Sequence, residues 1–456
     1  MSSIENYASY IYPIGHIFYS EDGSPYRVTG HLGRGGQGEV YKVRSTDGRE
    51  YAIKWYYPDR YLSKINRAGF LENLRDNVAN GIPKLSNGVA ATQFIWPLKM
   101  IKENQGSFGY LMNLFPEGYE PLKNVFMLRR KDPKTGVITR LRWKSWFICI
   151  TAALNITRAF EILHSTGLSY QDLNDGGVCV NMENGNVVIC DCDNVSPDKK
   201  NLGIRGVMTY MAPEVVRGEK LPDRTTDEYS LAVILFRLFF HGHPMCGKES
   251  RSLHNNESIS QFEADIAIYG KRPKYCLSST DASNAPDPVI NRDVIRYSFT
   301  FPLVLMDAFE RVFTKGIYNP SERLTATEWR KVLLEVRDSL ILVNGCEQFF
   351  GIRKPKPLPK ECRTLVYPHG QKVLCMPGKV LYKYHLDEYG TDFEQPVAKI
   401  IPTKKEGFIG LYNATKAPIQ IYGTGRHAVC NDQGRMPLIP GMTLMFEKTG
   451  LKIKVE

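Results

Sequence analysis

A glycine-rich turn and the lysine that follows it carry the strongest chemical signal in this 456-residue chain. Gly33, Gly35 and Gly38 are followed, sixteen residues after the last of them, by Lys54. Glycines let backbone N–H groups approach phosphate oxygens, because no side chain is in the way. A dinucleotide-binding fingerprint would need a helix after the glycines, whereas the flanking segments here have the composition of strands. The pattern therefore predicts a clamp for the phosphates of a nucleotide.

Two aspartates further along the chain could supply the rest of a phosphoryl-transfer site. Asp172 lies in a loop after a predicted helix, and nineteen residues later Asp191 ends the apolar run 187–190. Phosphoryl transfer needs a carboxylate that orients the attacking hydroxyl and hard oxygen ligands for a divalent cation. In this order and at this spacing the motifs resemble those of protein kinases. The resemblance covers about residues 25 to 340, and its details are similar to a divergent bacterial branch of the eukaryotic-like Ser/Thr kinases.

This resemblance implies ATP and Mg²⁺, or Mn²⁺, as cofactors. It assigns Asp172 as the catalytic base and Asp191 as the metal ligand, and it places Asn174 where kinases have a phosphate-contacting lysine. It also predicts an ion pair between Lys54 and Glu72, which lies on the next predicted helix. A solvent-facing helix glutamate is the alternative interpretation of Glu72.

The resemblance further implies a nucleotide pocket between two strands and a hinge. Met112 would be the gatekeeper, and the backbone from Asn113 to Phe115 would bond the adenine edge, although these side chains could equally be core residues. Cys179, Cys190 and Cys192 lack the cysteine and histidine pairs of a zinc site, so we expect them to be buried as small apolar residues. By resemblance, the residues expected to bind the nucleotide are Gly33, Gly35, Gly36, Gly38, Val40, Ala52, Lys54, Glu72, Met112, Asn113, Leu114 and Cys179.

Three positions depart from the kinase pattern. Gln171 replaces the arginine that would pair with a phosphorylated activation segment, so switching by that charge pair is not expected. Gly177 stands where kinases have a metal-binding asparagine, which removes an oxygen ligand. Asp193 replaces the glycine of the D-F-G element, and it either holds a second ion or caps the next turn.

Motifs downstream imply a protein acceptor. Small-molecule phosphotransferases of related fold generally lack the A-P-E element, which is present here as Ala212-Pro213-Glu214. By resemblance, Thr209 implies a Ser or Thr acceptor, Glu214 pairs with Arg323, and Asp227 anchors the backbone of the catalytic loop.

The predicted fold class is α+β, with a bilobal protein-kinase-like fold followed by a small all-β sandwich or barrel. Prolines and lysines near residue 355 suggest a spacer, after which short apolar runs alternate with turns. Leu411 to Phe446 resembles part of a forkhead-associated domain, without its Gly-Arg and Ser-x-x-His phosphate-binding set. The predicted boundaries are 1–24 for an N-terminal extension, 25–118 and 119–340 for the two lobes, 341–363 for the linker and 364–456 for an accessory domain.

The composition indicates which cellular compartment and which class of partner to expect for this protein. The sequence contains no run of eighteen or more apolar residues that could span a membrane. Its first residues show no basic segment leading into an apolar one, as a secretory signal would have. Ten irregularly spaced cysteines suit the reducing cytoplasm. The net charge of +11 is not accompanied by a nucleic-acid-binding motif, so we expect protein partners, including von Willebrand-type and phosphatase proteins by resemblance. A pseudokinase and, less favoured, a small-molecule kinase remain the alternative functions.

Overall fold

The glycine-rich turn lies in an antiparallel sheet of six strands, in the order β1-β2-β3-β4-β6-β5. This and all later geometry comes from a computed structural model of the chain. The sheet strands are β1 Ile17–Tyr19, β2 Pro25–Arg34, β3 Gly38–Ser45, β4 Glu50–Tyr56, β5 Lys99–Asn104 and β6 Ser107–Met112. The structure describes residues 12–57, 67–81, 93–132, 135–203, 206–387, 390–405, 407–423, 425 and 427–456.

The chain divides into two compact units. The first comprises residues 1–144, 148–295 and 308–330, and the second comprises 145–147, 296–307 and 331–456. The described helices are α1 Arg67–Asn80, α2 Leu122–Phe126, α3 Trp146–Ser165, α4 Pro213–Val216, α5 Arg224–Phe240, α6 Lys248–His254, α7 Gln261–Ile266, α8 Arg292–Tyr297, α9 Leu303–Tyr318 and α10 Ala326–Asp338. Helices and sheets thus mix in the first unit in the α+β manner.

Short strands complete the first unit. They are β7 Glu120–Pro121, β8 Arg129–Lys131, β9 Ile138–Arg140, β10 Leu168–Ser169, β11 Val178–Val180, β12 Val187–Ile189 and β13 Ser196–Pro197. Each of the two site aspartates follows one of these short strands. Strand β10 leads into the loop with Asp172, and β12 ends two residues before Asp191. Strands β11 and β12 pair antiparallel, and this pairing brings the ends of both segments together.

Helix α5 is a buried core helix with a defined start. Its N-cap Asp223 accepts hydrogen bonds from the backbone N–H groups of Thr225 and Thr226, which would otherwise lack partners. Fourteen of the fifteen residues from Thr226 to Phe240 are buried, with Arg237 as the exception, so the helix is held by packing on all sides. This fixes Asp227, in its first turn, beneath the catalytic loop.

The second unit contains two β-sheets that share one hydrophobic core. Strand order is β17-β16-β25-β24-β21-β22 in one sheet and β18-β19-β20-β23 in the other, and Leu365, Ile400 and Leu444 are among the core residues. The strands of this unit are β14 Leu340–Val343, β15 Cys346–Phe349, β16 Arg363–Val366, β17 Lys372–Cys375, β18 Val380–Tyr382, β19 Pro396–Pro402, β20 Ile409–Asn413, β21 Ile419–Tyr422, β22 Ala428–Cys430, β23 Arg435–Leu438, β24 Thr443–Phe446 and β25 Leu451–Val455.

The structure differs from two of the predicted boundaries. Within the predicted N-terminal extension 1–24, β1 pairs with β2 because Phe18 packs against Tyr41 and Trp55 in the sheet core. Within the predicted linker 341–363, β14 and β15 form a hairpin rather than an extended spacer, since Asn344-Gly345 provides the two positive-φ residues of a tight turn.

One helix, α3, is long and apolar enough by composition to cross a membrane. Most of the apolar stretch of this helix is buried inside the protein, as in a core helix. No other helix in the described ranges passes that test.

Candidate active site

The glycine-rich turn connects β2 and β3 as the sequence predicts. Gly35 donates its backbone N–H to the carbonyl of Gly38 at 2.9 Å, which closes the turn. A Cβ on Gly38 would collide with the backbone of Trp55 and Tyr56 on the neighbouring strand, whereas one on Gly33 or Gly36 would meet open space. Protein packing therefore requires glycine at 38, and the space beside Gly33 and Gly36 is left for a ligand.

A buried carboxylate that the sequence analysis did not single out holds this turn. Glu39 is fully buried and accepts hydrogen bonds from Arg34 Nε at 2.8 Å and Tyr57 Oη at 3.0 Å, with His31 Nε2 also in contact. Arg34 is the last residue of β2, where the turn begins, so this network holds the start of the turn. The glutamate follows directly after Gly38, but nothing in its spacing distinguishes it from a surface residue.

Lys54 reaches the segment that follows β12 and carries Asp191. Its ammonium lies 3.1 Å from Asp191 Oδ1 and 2.9 Å from Asp193 Oδ2, although the residues are more than 130 positions apart in sequence. Burial alone would lower the pKa of Lys54, but the two carboxylates outweigh that effect and raise this pKa well above its ordinary value. The side chain is therefore a permanent positive charge beside Asp191 and Asp193.

Asp193 is the buried partner of this lysine. Its side chain is completely buried, and the oxygen that binds Lys54 also accepts a hydrogen bond from Tyr56. Its other oxygen, Oδ1, has no hydrogen-bond partner among the described residues. The structure thus pairs Asp193 with a lysine and not with the backbone of the next turn, and its other expected role, binding a second ion, stays a prediction.

The expected ion pair between Lys54 and Glu72 is not formed in the described part of the chain, and this is a correction. Helix α1 directs the amides of Asn73 and Asn77 to the carbonyl of Val195, at 2.8 Å in both cases. That rotation leaves Glu72 on the exposed side of the helix. Because Asp193 already satisfies the lysine, a second buried carboxylate there would lack a counter-charge.

Asp172 lies in a partly buried position beside Asn174. The Asn174 amide donates to the Asp172 carbonyl at 2.8 Å and to its Oδ1 at 3.1 Å. Burial raises the pKa of Asp172 to about 6, and the Asn174 hydrogen bond opposes this. Gly206, at φ +91°, passes so close that a Cβ there would lie 3.1 Å from Asp172 Oδ1. The carboxylate can thus accept a proton near neutral pH.

The predicted anchor of the catalytic loop is present. Asp227 accepts the backbone N–H of Tyr170 at 2.6 Å and that of Gln171 at 2.8 Å, and it contacts His164 Nε2 at 3.2 Å. These bonds hold the two residues before Asp172. Charged hydrogen-bond acceptors of this kind are stronger than neutral ones, so the loop is fixed from below.

Gln171 ties this loop to the following segment without charge. Its side-chain Nε2 lies 2.7–3.0 Å from three acceptors, Ser169 Oγ, Ser196 Oγ and the Lys200 carbonyl, and its Oε1 accepts from Asn201 at 2.8 Å. The residue is buried and has a φ of 70°. A neutral network therefore lies where the kinase pattern has an arginine that pairs with a phosphorylated segment.

Gly177 and Tyr170 occupy the position of the missing asparagine. The hydroxyl of Tyr170, a buried residue, donates to the Cys190 carbonyl, and Cys190 N–H donates to the Gly177 carbonyl at 2.8 Å. These bonds connect the catalytic loop to the residue before Asp191. Asp191 itself has a left-handed backbone, at φ 49°.

The predicted adenine side of the pocket is largely apolar. Met112 packs against a cluster that contains Cys179 and Cys190, and it pairs across the strands with Ala52. Asn113, directly after β6, is exposed. Burial among apolar groups is thus the observed state of Cys179 and Cys190, as expected.

The Glu214–Arg323 pair forms as predicted. The two guanidinium nitrogens Nη1 and Nη2 each lie 2.8 Å from one carboxylate oxygen, and Arg323 Nε donates to the Gly316 carbonyl at 2.8 Å. Thr209 offers its carbonyl to His243 Nε2 at 2.7 Å, and its expected side-chain role stays a prediction.

The side chains present fit one divalent cation held together with nucleotide phosphates. The Asp191 carboxylate is 55% exposed, so its oxygens can bind a hard cation from the solvent side. No group of three or more His, Cys, Asp or Glu side chains forms a protein-only metal site within the described ranges. Phosphate oxygens would have to supply further ligands, which is the usual arrangement for Mg²⁺.

Comparison with known proteins agrees with this geometry. Residues 26–331 match the protein kinase domain family, and the chain belongs to that family. Ribosomal protein S6 kinase alpha-2 of Homo sapiens is 25% identical over 242 residues, which are 51% of this chain and 29% of that protein. Serine/threonine-protein kinase SCH9 of Candida albicans is 24% identical over 55% of this chain and 31% of its own length.

A bacterial protein is similar to the same extent. The DNA damage-responsive serine/threonine-protein kinase RqkA of Deinococcus radiodurans is 28% identical over 50% of this chain and 31% of its own length. The chain therefore matches less than a third of the length of each of these three relatives.

Proposed function

We propose that this protein transfers the γ-phosphoryl group of ATP to Ser or Thr hydroxyls of protein substrates, itself included. The observation that carries the proposal is the meeting of Lys54, Asp191 and the loop of Asp172 at one edge of the glycine-rich sheet. Family membership and the Ser/Thr kinases among its relatives support the same activity.

The residues divide the work as follows. Lys54 supplies a permanent positive charge for phosphate oxygens, and the space beside Gly33 and Gly36 admits the phosphates to the backbone. Asp172 orients the acceptor hydroxyl and takes its proton as the oxygen bonds to the γ-phosphorus and the bond to the β-γ bridging oxygen breaks. Asp191 would hold Mg²⁺ or Mn²⁺, which neutralises phosphate charge when bound.

A pseudokinase is the second candidate, because two observations favour it. Gly177 provides no metal ligand, and Lys54 is already paired with two carboxylates. Positioning and charge neutralisation supply most of phosphoryl-transfer catalysis, however, and the lysine and both aspartates that do this are present.

An assay that follows the transfer of label from ATP distinguishes these functions. Transfer of label to the chain or to a generic Ser/Thr substrate is expected with Mg²⁺ or Mn²⁺, and it is expected to disappear in Asp172→Asn and Asp191→Asn. Asp76→Asn, at an exposed position on α1, is the matched control and retains transfer. Nucleotide binding without transfer would establish the pseudokinase, and label on a metabolite alone would establish a small-molecule kinase.

We propose further that residues 364–456 act as an accessory domain for protein partners in the cytoplasm. All ten cysteines are free, as a reducing compartment requires, and the two sheets share a core of their own. Von Willebrand-type and phosphatase proteins are the partner classes proposed. We expect the full chain to co-elute with a purified partner of either class. Changing residues of the strand-connecting turns is expected to abolish this co-elution.

A further inference from the structure

The residue at position 177 is small because a neighbouring side chain fills the space beside it. A Cβ placed on Gly177 would lie 2.5 Å from the hydroxyl of Tyr170, closer than real Cβ contacts allow. The next nearest atom is Cζ of the same ring, at 3.5 Å, which is an ordinary contact. Gly177 is not in the left-handed region of backbone conformation, so only this one oxygen excludes a side chain.

The Tyr170 hydroxyl cannot easily move away. It donates to the Cys190 carbonyl, and its ring packs edge-on against Phe160 at 5.7 Å between centroids. The residue is 1% exposed, and its backbone N–H is bound by Asp227. A side chain at 177 would have to break the hydroxyl's bond and displace a packed ring, and both changes are costly in a dense core.

Nor does Asp193 provide a replacement ligand. Its carboxylate is completely buried, and Lys54 and Tyr56 both bind one of its oxygens. Its other oxygen, Oδ1, is buried as well, so a cation could reach it only by entering a space closed to solvent close to the lysine's ammonium.

We propose that Tyr170 closes the second cation position of this kinase domain, so that the nucleotide complex holds a single divalent cation, at Asp191. This inference rests on the proposed function, since it concerns the metal content of the nucleotide site. The tyrosine is also a positioning residue, because its hydroxyl holds the carbonyl that directly precedes Asp191.

A stability cycle tests the steric coupling without reference to activity. Gly177→Ala is expected to lower the urea midpoint of the wild-type chain. The same glycine change is expected to lower the midpoint much less when it is made in Tyr170→Phe, which lacks the hydroxyl. Gly30→Ala is the matched control, since its Cβ would have only one ordinary contact, at 3.8 Å. Additive losses in the double variant would overturn the coupling.

Manganese counting tests the cation number. Electron paramagnetic resonance with Mn²⁺ and a non-hydrolysable ATP analogue is expected to show one bound ion per wild-type chain and two in Tyr170→Phe/Gly177→Asn, with the fold of that variant checked by its urea midpoint. Two ions in wild type, or one in the folded double variant, would overturn the proposal. No Mn²⁺–nucleotide binding in any variant would refute the proposed function and this proposal together, whereas the stability cycle would still decide the coupling.

Discussion

Removing the charge of Asp193 should destabilise the protein far more than removing that of Glu72. Asp193 is completely buried and Lys54 is 10% exposed at the side chain, so Asp193→Asn leaves a buried ammonium without its nearest partner. Breaking a buried ion pair on one side costs about 3–5 kcal/mol. Asp191 remains 3.1 Å from the lysine, and we therefore expect the lower end, about 3 kcal/mol.

The assay is urea denaturation at neutral pH, followed by calorimetric titration with a nucleotide. A loss of about 3 kcal/mol raises the unfolded-to-folded ratio roughly a hundredfold. Tyr56→Phe removes one hydrogen bond to the same charged oxygen and should cost about 1.5–3 kcal/mol. Glu72→Gln changes an exposed carboxylate and should stay within about 0.5 kcal/mol.

Two results would refute this reasoning. If Glu72→Gln were as damaging as Asp193→Asn, the helix glutamate would be the lysine's working partner. If Asp193→Asn cost less than about 1 kcal/mol, the lysine would not depend on a buried counter-charge.

Three further outcomes follow from the same geometry. The value of kcat/KM should fall as the pH drops below about 6, because protonated Asp172 cannot accept a proton; a pH profile flat down to pH 5 would contradict this. Gln171→Ala should cost about 1–3 kcal/mol and speed amide hydrogen exchange over residues 196–202, and unchanged exchange would show that the neutral network does not hold that segment. Glu214→Ala should cost about 3–5 kcal/mol by chemical denaturation, since it strands the buried guanidinium of Arg323; a loss near zero would mean that this charge finds another partner.

Order and spacing were enough to predict much of the site. The glycine turn and the strand with Lys54 depend on local patterns that survive in any packing, and the structure has both where they were expected. The anchor Asp227 came from resemblance, and it binds the catalytic loop as expected. The long-range pair of Glu214 and Arg323 came from resemblance, and it forms with good geometry.

Other features needed three dimensions. A strand at Ile17–Tyr19 and a hairpin at 340–349 were predicted as an extension and a linker, because short segments gain regular structure only from the sheet or turn that receives them. Glu39 was missed for a similar reason: a glutamate in a strand shows no sign in sequence that it will be buried.

The sequence by itself determined which chemical groups this protein has and the order in which its elements present them. Tertiary structure alone decided that Lys54 pairs with Asp193 rather than Glu72, and that a tyrosine hydroxyl fills the space beside Gly177. A buried charge binds whichever counter-charge the packing brings within about 3 Å, and a cavity is filled by whichever side chain fits it. Both depend on distances between residues far apart in the chain, which spacing along the sequence does not contain.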